Sequence, residues 1–130
     1  MNYALRIDLE RPFDEVVGLT KESLAESGFG ILTEINLKQT LKNKLDVDID
    51  DQVILGACNP GFAHKGLQTE PSLGLLLPCN VVVRHSAGVT VVEAIDPETM
   101  VTLTGNSQME PLADEVRAAL KAALDRVAAS

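Results

Sequence analysis

Tyr3, Leu5, Ile7 and Leu9 alternate with Ala4, Arg6, Asp8 and Glu10, and that period of two predicts a half-buried strand. Pro12 suits the first turn of a helix. Phe13, Val16, Val17, Thr20 and Leu24 follow at helical spacing, with Gly28 where a C-cap belongs. The period returns to two from Phe29 to Ile35. Asn36 with Gln39 then has the form of a capping box for a short helix carrying Leu37, Leu41 and Leu45 on one side. Three more strands read as Gln52–Ala57, Asn80–His85 and Val89–Ile95, the last two joined through Ser86, Ala87 and Gly88 as a hairpin. Between the third and fourth strands, Asn59 can cap a helix that starts at Pro60 and stops before Pro71. A final helix from Pro111 to Ala128 carries Leu112, Val116, Leu120, Ala123 and Val127 along one face.

Without its two inserted short helices the order is strand, helix, four strands, helix. This predicts an α+β fold with a mainly antiparallel sheet, and with the Phe13–Glu26 and Pro111–Ala128 helices on one face of it. The first strand has one wet face. In contrast, Val81–Val83 and the Val89–Ile95 strand are apolar on both faces. A strand apolar on both sides wants cover on both. With the helices on one face, the other needs an inserted helix or a second subunit, so a homodimer is expected.

Composition narrows the classes. The chain has 130 residues, the size of one domain spanning 1–130. Its 11 Lys and Arg against 19 Asp and Glu leave a net charge of −8, which argues against nucleic acid as a partner. Aromatic residues are 3% and Trp is absent, so the core is aliphatic and a stacking platform is not expected. Met1–Arg11 lacks the apolar core of a signal peptide, and no apolar run approaches the ~20 residues of a membrane helix. A cytoplasmic protein with no membrane partner is expected, in which Cys58 and Cys79 stay reduced.

Candidate chemistry concentrates in Gly56-Ala57-Cys58-Asn59-Pro60-Gly61-Phe62-Ala63-His64 and Leu77-Pro78-Cys79-Asn80, where the dipeptide Cys-Asn occurs twice. Cys58 ends the third strand and Cys79 starts the fourth. If these strands are antiparallel neighbours, both thiols fall at one end of the sheet. Cys58 also precedes a helix N-terminus, whose unpaired N–H groups lower a thiol pKa. Four readings compete. Cys58 can be a reactive thiolate with Cys79 as resolving partner. Cys58, Cys79 and His64 can form a soft metal site, although their spacing matches no standard zinc pattern. Cys58, Asn59, Pro60, His64, Cys79 and Asn80 can line a pocket for a small molecule. The fourth reading, and the leading one for the cysteines themselves, is that both are small hydrophobes packed at strand ends. No residue pattern names a cofactor.

Other motifs fail. Asp46, Asp48 and Asp50 alternate like a calcium loop, but Asp51 stands where Gly is needed and Ala57 where the closing Glu belongs. Gly28-Phe29-Gly30 lacks a third glycine and precedes a strand, so it is no dinucleotide fingerprint. Lys38, Lys42 and Lys44 make a solubilising helix face, and His85 a surface residue. Asp96-Pro97-Glu98 opens a turn or short helix. Thr102, Thr104, Gly105 and Asn106, between Met100 and Met109, read as a polar loop that either folds over a pocket or connects two elements.

Three runs carry a resemblance: Ser27-Gly28-Phe29-Gly30-Ile31-Leu32-Thr33-Glu34-Ile35, Ile54-Leu55-Gly56-Ala57-Cys58-Asn59-Pro60, and Gly74-Leu75-Leu76-Leu77-Pro78-Cys79-Asn80-Val81-Val82-Val83. Together they resemble the family catalogued as domain of unknown function 302. The resemblance implies a strand–helix–four strands–helix fold related to the TATA-binding-protein-like class, often dimeric, and it implies no reaction. Some branches of that family carry Gly-Asn-Pro in place of Cys-Asn-Pro. The resemblance therefore points to Asn59 and Pro60, more than Cys58, as residues shaping a shared pocket or turn.

Overall fold

The computed structural model of the chain describes residues 3–130, so the first two residues of the Met1–Arg11 stretch lie outside the described residues. Five strands, β1 (Ala4–Leu9), β2 (Gly30–Asn36), β3 (Gln52–Cys58), β4 (Cys79–Ser86) and β5 (Val89–Ile95), form one sheet in the order β1-β5-β4-β3-β2. Every neighbouring pair is antiparallel. The fold is α+β, as the patterning predicts.

Register follows from side-chain alternation. Val53 opposite Val83, Leu55 opposite Val81 and Ala57 opposite Cys79 turn toward the helices. Val92 and Ala94 continue that face across β5. Against it pack α1 (Phe13–Glu26), through Val16 and Leu24, and α5 (Glu110–Ala129), through Val116, Leu120, Ala123 and Val127. The two helices are also clamped to each other. Ser23 Oγ donates to the Ala123 carbonyl at 2.6 Å, and Arg126 Nη2 donates to the Ser23 carbonyl at 2.8 Å.

Short-range signals hold in detail. Gly28 has φ +87°, and the following Phe29 N–H reaches back to the Leu24 carbonyl at 2.9 Å, closing α1. Ala87 and Gly88 both have positive φ, the backbone of a two-residue hairpin turn matched to strand twist. In α2 (Leu37–Leu45), Asn36 Oδ1 accepts from the Gln39 N–H at 3.0 Å. The Gln39 side chain points forward to Asn43 and leaves the capping box half made. No residue of α2 is fully buried, and edge strand β2 is exposed along most of its length.

Two departures matter for function. The helix from Pro60, α3 (Pro60–Thr69), is followed by a 3₁₀ segment, Pro71–Leu76. Residues expected in a polar loop form α4 (Glu98–Thr104), which Gly105 ends in the left-handed conformation. Just before it, Asp96 Oδ1 accepts from the Glu98 N–H at 3.0 Å, a local turn that leads into the helix. The connection to α5 is anchored: Asn106 Nδ2 donates to the Thr69 carbonyl at 3.2 Å. The expectation of an irregular connector is thereby corrected. Its threonines satisfy their hydroxyls on nearby backbone carbonyls, as Thr102 does on Glu98 at 3.2 Å and Thr99 on Asp96 at 2.8 Å. No helix among the described residues is long and apolar enough to cross a membrane.

The sheet face away from the helices carries Arg6, Asp8, Thr33, Ile35, Gln52, Ile54, Gly56, Asn80, Val82, Arg84, Val91, Glu93 and Ile95 by the same alternation. Among the described residues α1 and α5 pack on the opposite face, while α2 contacts β2 and β3 at one edge and Val91 on this face is fully buried. Arg6 pairs with Asp8 at 2.8 Å and Arg84 with Glu93 at 2.9 Å across this face. The tightest packing on it lies at Gly56, where an added Cβ would stand 2.2 Å from Thr33 Oγ1 and 2.9 Å from Pro78 Cγ. That approach is what requires glycine.

Candidate functional site

Strands β3 and β4 are antiparallel neighbours, so Cys58 and Cys79 do fall at one end of the sheet, with Cys79 opposite Ala57. Both thiols are free. Cys79 is 5% exposed and belongs to the core. Burial, and to a smaller degree the charge of Cys58 when ionised, pushes its pKa up to about 11. A thiol so placed is neutral at neutral pH and a poor nucleophile. Cys58 is half-buried.

Around the two sulfurs lies a cavity of about 20 Å³, lined by Phe29, Ala57, Phe62, Leu73, Leu77, Met100 and neighbouring apolar groups. Such a volume holds about one water and no organic ligand. The Phe29 and Phe62 rings close it, with centroids 6.4 Å apart. Asn59 lines it too, but its Oδ1 already accepts from the Phe62 N–H at 3.1 Å as the cap of α3. Its amide nitrogen lies 2.9 Å from where a Cβ on Gly28 would stand, so Asn59 locks the start of α3 onto the end of α1.

The remaining predicted site residues are elsewhere. Pro60, the first residue of α3, and His64 are both exposed, and neither lines the cavity. Among the described residues, the ligating atoms that converge within 4.8 Å in a set of three belong to Glu98, Glu110 and Asp114, so Cys58, Cys79 and His64 are not gathered as metal ligands. Desolvation, then the neighbouring Glu110 carboxylate, raises the pKa of Glu98 in that acidic trio. Asn80 alternates with Cys79 and therefore lies on the opposite face of the sheet, across from Gly56. The two Cys-Asn pairs do not make one site.

What Asn80 borders is larger. A groove of about 740 Å³ runs between the 3₁₀ segment and α4 at the start of β4, lined by Tyr3, Leu75, Leu76, Leu77, Pro78, Asn80, Ile95, Thr99, Met100, Thr102 and Leu103. Its volume falls in the ~300–1,000 Å³ range of small-molecule sites. Leu75 is 87% exposed, Leu103 69% and Tyr3 56%, an unusual grouping of large apolar side chains on one rim. Among the described residues its lining carries no charge. The Thr99 hydroxyl donates to the Asp96 carbonyl at 2.8 Å and the Thr102 hydroxyl to the Glu98 carbonyl, so both present lone pairs rather than protons. Leu77 and Met100 line both this groove and the small cavity and form the wall between them.

Sequence reasoning missed Leu75, Thr99 and Leu103. The Asp-Pro-Glu start and Gly105 stop of α4 were the signals that bore on two of them. Fold and groove together define an α+β protein with an open sheet face and an apolar strand-end groove. The family model described as "Domain of unknown function DUF302" matches residues 5–127, and the chain belongs to that family. It is similar to a solved structure described as the crystal structure of uncharacterized conserved protein DUF302 from Bacillus stearothermophilus. The two share 28% identity at a TM-score of 0.91, over 98% of this chain and 99% of that one. No curated protein matches the chain.

Proposed function

We propose that this protein is a homodimeric small-molecule-binding protein whose ligand lies in the groove between the 3₁₀ segment and α4. The observation that carries this reading is the groove itself: about 740 Å³, rimmed by exposed Leu75, Leu103 and Tyr3, with Asn80, Thr99, Thr102 and the Tyr3 hydroxyl as its polar groups. Apolar walls with a few placed hydrogen-bonding groups are the usual make-up of such sites. The ligand is held beside Asn80 rather than around Cys58 and Cys79, whose cavity of about 20 Å³ is too small for it. Among the described residues the groove lining holds no Cys, His, Lys, Asp or Glu, so binding rather than turnover is the role supported.

The homodimer half of the reading rests on the open sheet face. Ile35, Ile54, Val82 and Ile95 give it apolar area. Arg6, Arg84, Asp8 and Glu93 give it zero net charge on a chain whose total is −8. A face that is neutral where the rest is acidic meets a copy of itself without like-charge repulsion. That same observation also favours a second reading, a dimer whose assembly is its whole role. Titration with the neutral fluorescent probe N-phenyl-1-naphthylamine separates the two. Saturable binding lost in Leu103→Glu supports the groove, whereas a dimer that binds no probe leaves the assembly reading.

A further inference from the structure

We infer that the groove is a half-built site, completed by a second copy of the chain lying on the open sheet face, and that it takes a neutral amphiphile with a hydrogen-bond-donating head. The inference rests on the groove and dimer readings above and goes beyond them in coupling the two. Tyr3, Asn80 and Ile95 line the groove, and the same three line a shallower depression of about 370 Å³ that continues over Val82 and the Arg84–Glu93 pair. The groove therefore opens directly onto the sheet face. A copy seated over Val82 and Arg84 spans that mouth and shields the Tyr3 edge from water.

Ligand class follows from what the walls offer. No Lys, Arg or His lines the groove among the described residues, so a carboxylate or phosphate head has no cationic partner there, and the chain's net charge of −8 repels it further. Thr99 and Thr102 have committed their hydroxyl protons to helix carbonyls and can only accept. The Asn80 amide and the Tyr3 hydroxyl offer both functions. A hydroxyl or secondary amine on an alkyl or aryl body satisfies these groups. A free anion leaves them facing negative charge.

If the second copy roofs the site, ligand binding and dimerisation are linked, and the gain in affinity at each of the two equivalent sites enters the dimerisation constant squared. Sedimentation velocity across micromolar concentrations, with and without N-phenyl-1-naphthylamine, reads one side of that linkage. Probe affinity in monomeric variants reads the other. Ile35→Lys, on edge strand β2 far from the groove, and Val82→Glu, at the centre of the face, remove the dimer by separate routes, and circular dichroism establishes that each is folded. The expected results are at least a hundredfold fall in the dimer dissociation constant with saturating probe, and at least tenfold weaker probe binding in the folded monomeric variant. Decanol should displace the probe at concentrations where decanoate does not. A dimeric wild type whose monomeric variant binds the probe equally well overturns the coupling and leaves the dimer standing. A wild type that is monomeric with and without probe overturns the dimer reading and the coupling with it. Decanoate competing as well as decanol overturns the ligand class.

Discussion

Raising the pH from 8 to 11 should weaken the fold through one side chain, Cys79, and the size of the effect follows from its burial. Its thiol pKa is pushed from an ordinary 9.0 to about 11, first by desolvation and second by the charge of Cys58. A raised pKa means that the contribution is fully present below the unfolded value and is lost as pH climbs through the folded one. Below pH 9 both states keep the proton. Between about 9 and 11 the unfolded chain releases it while the folded chain holds it, so unfolding becomes easier; above that window both are ionised and the loss stops. A tenfold change in acidity is ~1.4 kcal/mol, so the full loss is roughly 2–3 kcal/mol. The pH also acts on the rest of the chain, so the quantity to measure is a difference. Urea unfolding of wild type and Cys79→Ala at pH 8, 9, 10 and 11 gives it directly. Wild type should lose its advantage over Cys79→Ala by roughly 2–3 kcal/mol across the series. In a Cys58→Ala background most of that narrowing should survive, since desolvation is the larger cause. A difference between the two proteins that stays constant from pH 8 to 11 would mean that the thiol is not desolvated as described. The redox reading of the cysteines would then regain ground.

Four substitutions test the packing of the fold. Gly56→Ala should destabilise by about 1–3 kcal/mol in urea unfolding, because its Cβ meets Thr33 Oγ1 at 2.2 Å and Pro78 at 2.9 Å. Adding Thr33→Ala should recover part of that loss but not all, since the contact with Pro78 remains. Asn59→Ala removes the α3 cap at 3.1 Å and should cost about 1 kcal/mol by the same measurement, with thiol content and oligomeric state unchanged. Thr20→Val should stabilise by about 1 kcal/mol, because the Thr20 hydroxyl is fully buried without a partner and valine keeps the shape. A destabilised Thr20→Val would show that this hydroxyl is satisfied after all.

Where local chemistry decides an element, the sequence was legible. Alternation from Tyr3 to Leu9, the Gly28 stop and the Asn59-Pro60 start all specify backbone through their own residues, and the structure follows them. At α4 this legibility ends. Its run of threonines has weak helix propensity, and what holds the helix is the Asp96 turn before it together with burial of Met100 against the rest of the fold. The candidate site was half legible for a different reason. Antiparallel pairing of β3 and β4 does bring Cys58 and Cys79 to one end. The period of two that defines a strand also sends Cys79 and Asn80 to opposite faces, and proximity in sequence concealed that. The groove joins Tyr3, Leu75 and Leu103 from three distant stretches, a juxtaposition that only tertiary packing supplies.

The most direct test of a ligand site in the groove beside Asn80 is an amide and methyl NMR titration of the full chain with N-phenyl-1-naphthylamine. The largest saturable shifts should fall on the Asn80 side-chain amide, the Thr99 and Thr102 backbone, and the Leu75 and Leu103 methyls, while Phe62 and Ala63 at the start of α3 stay nearly still. Shifts centred instead on Cys58, Asn59 and Phe62, or none that saturate, would contradict it.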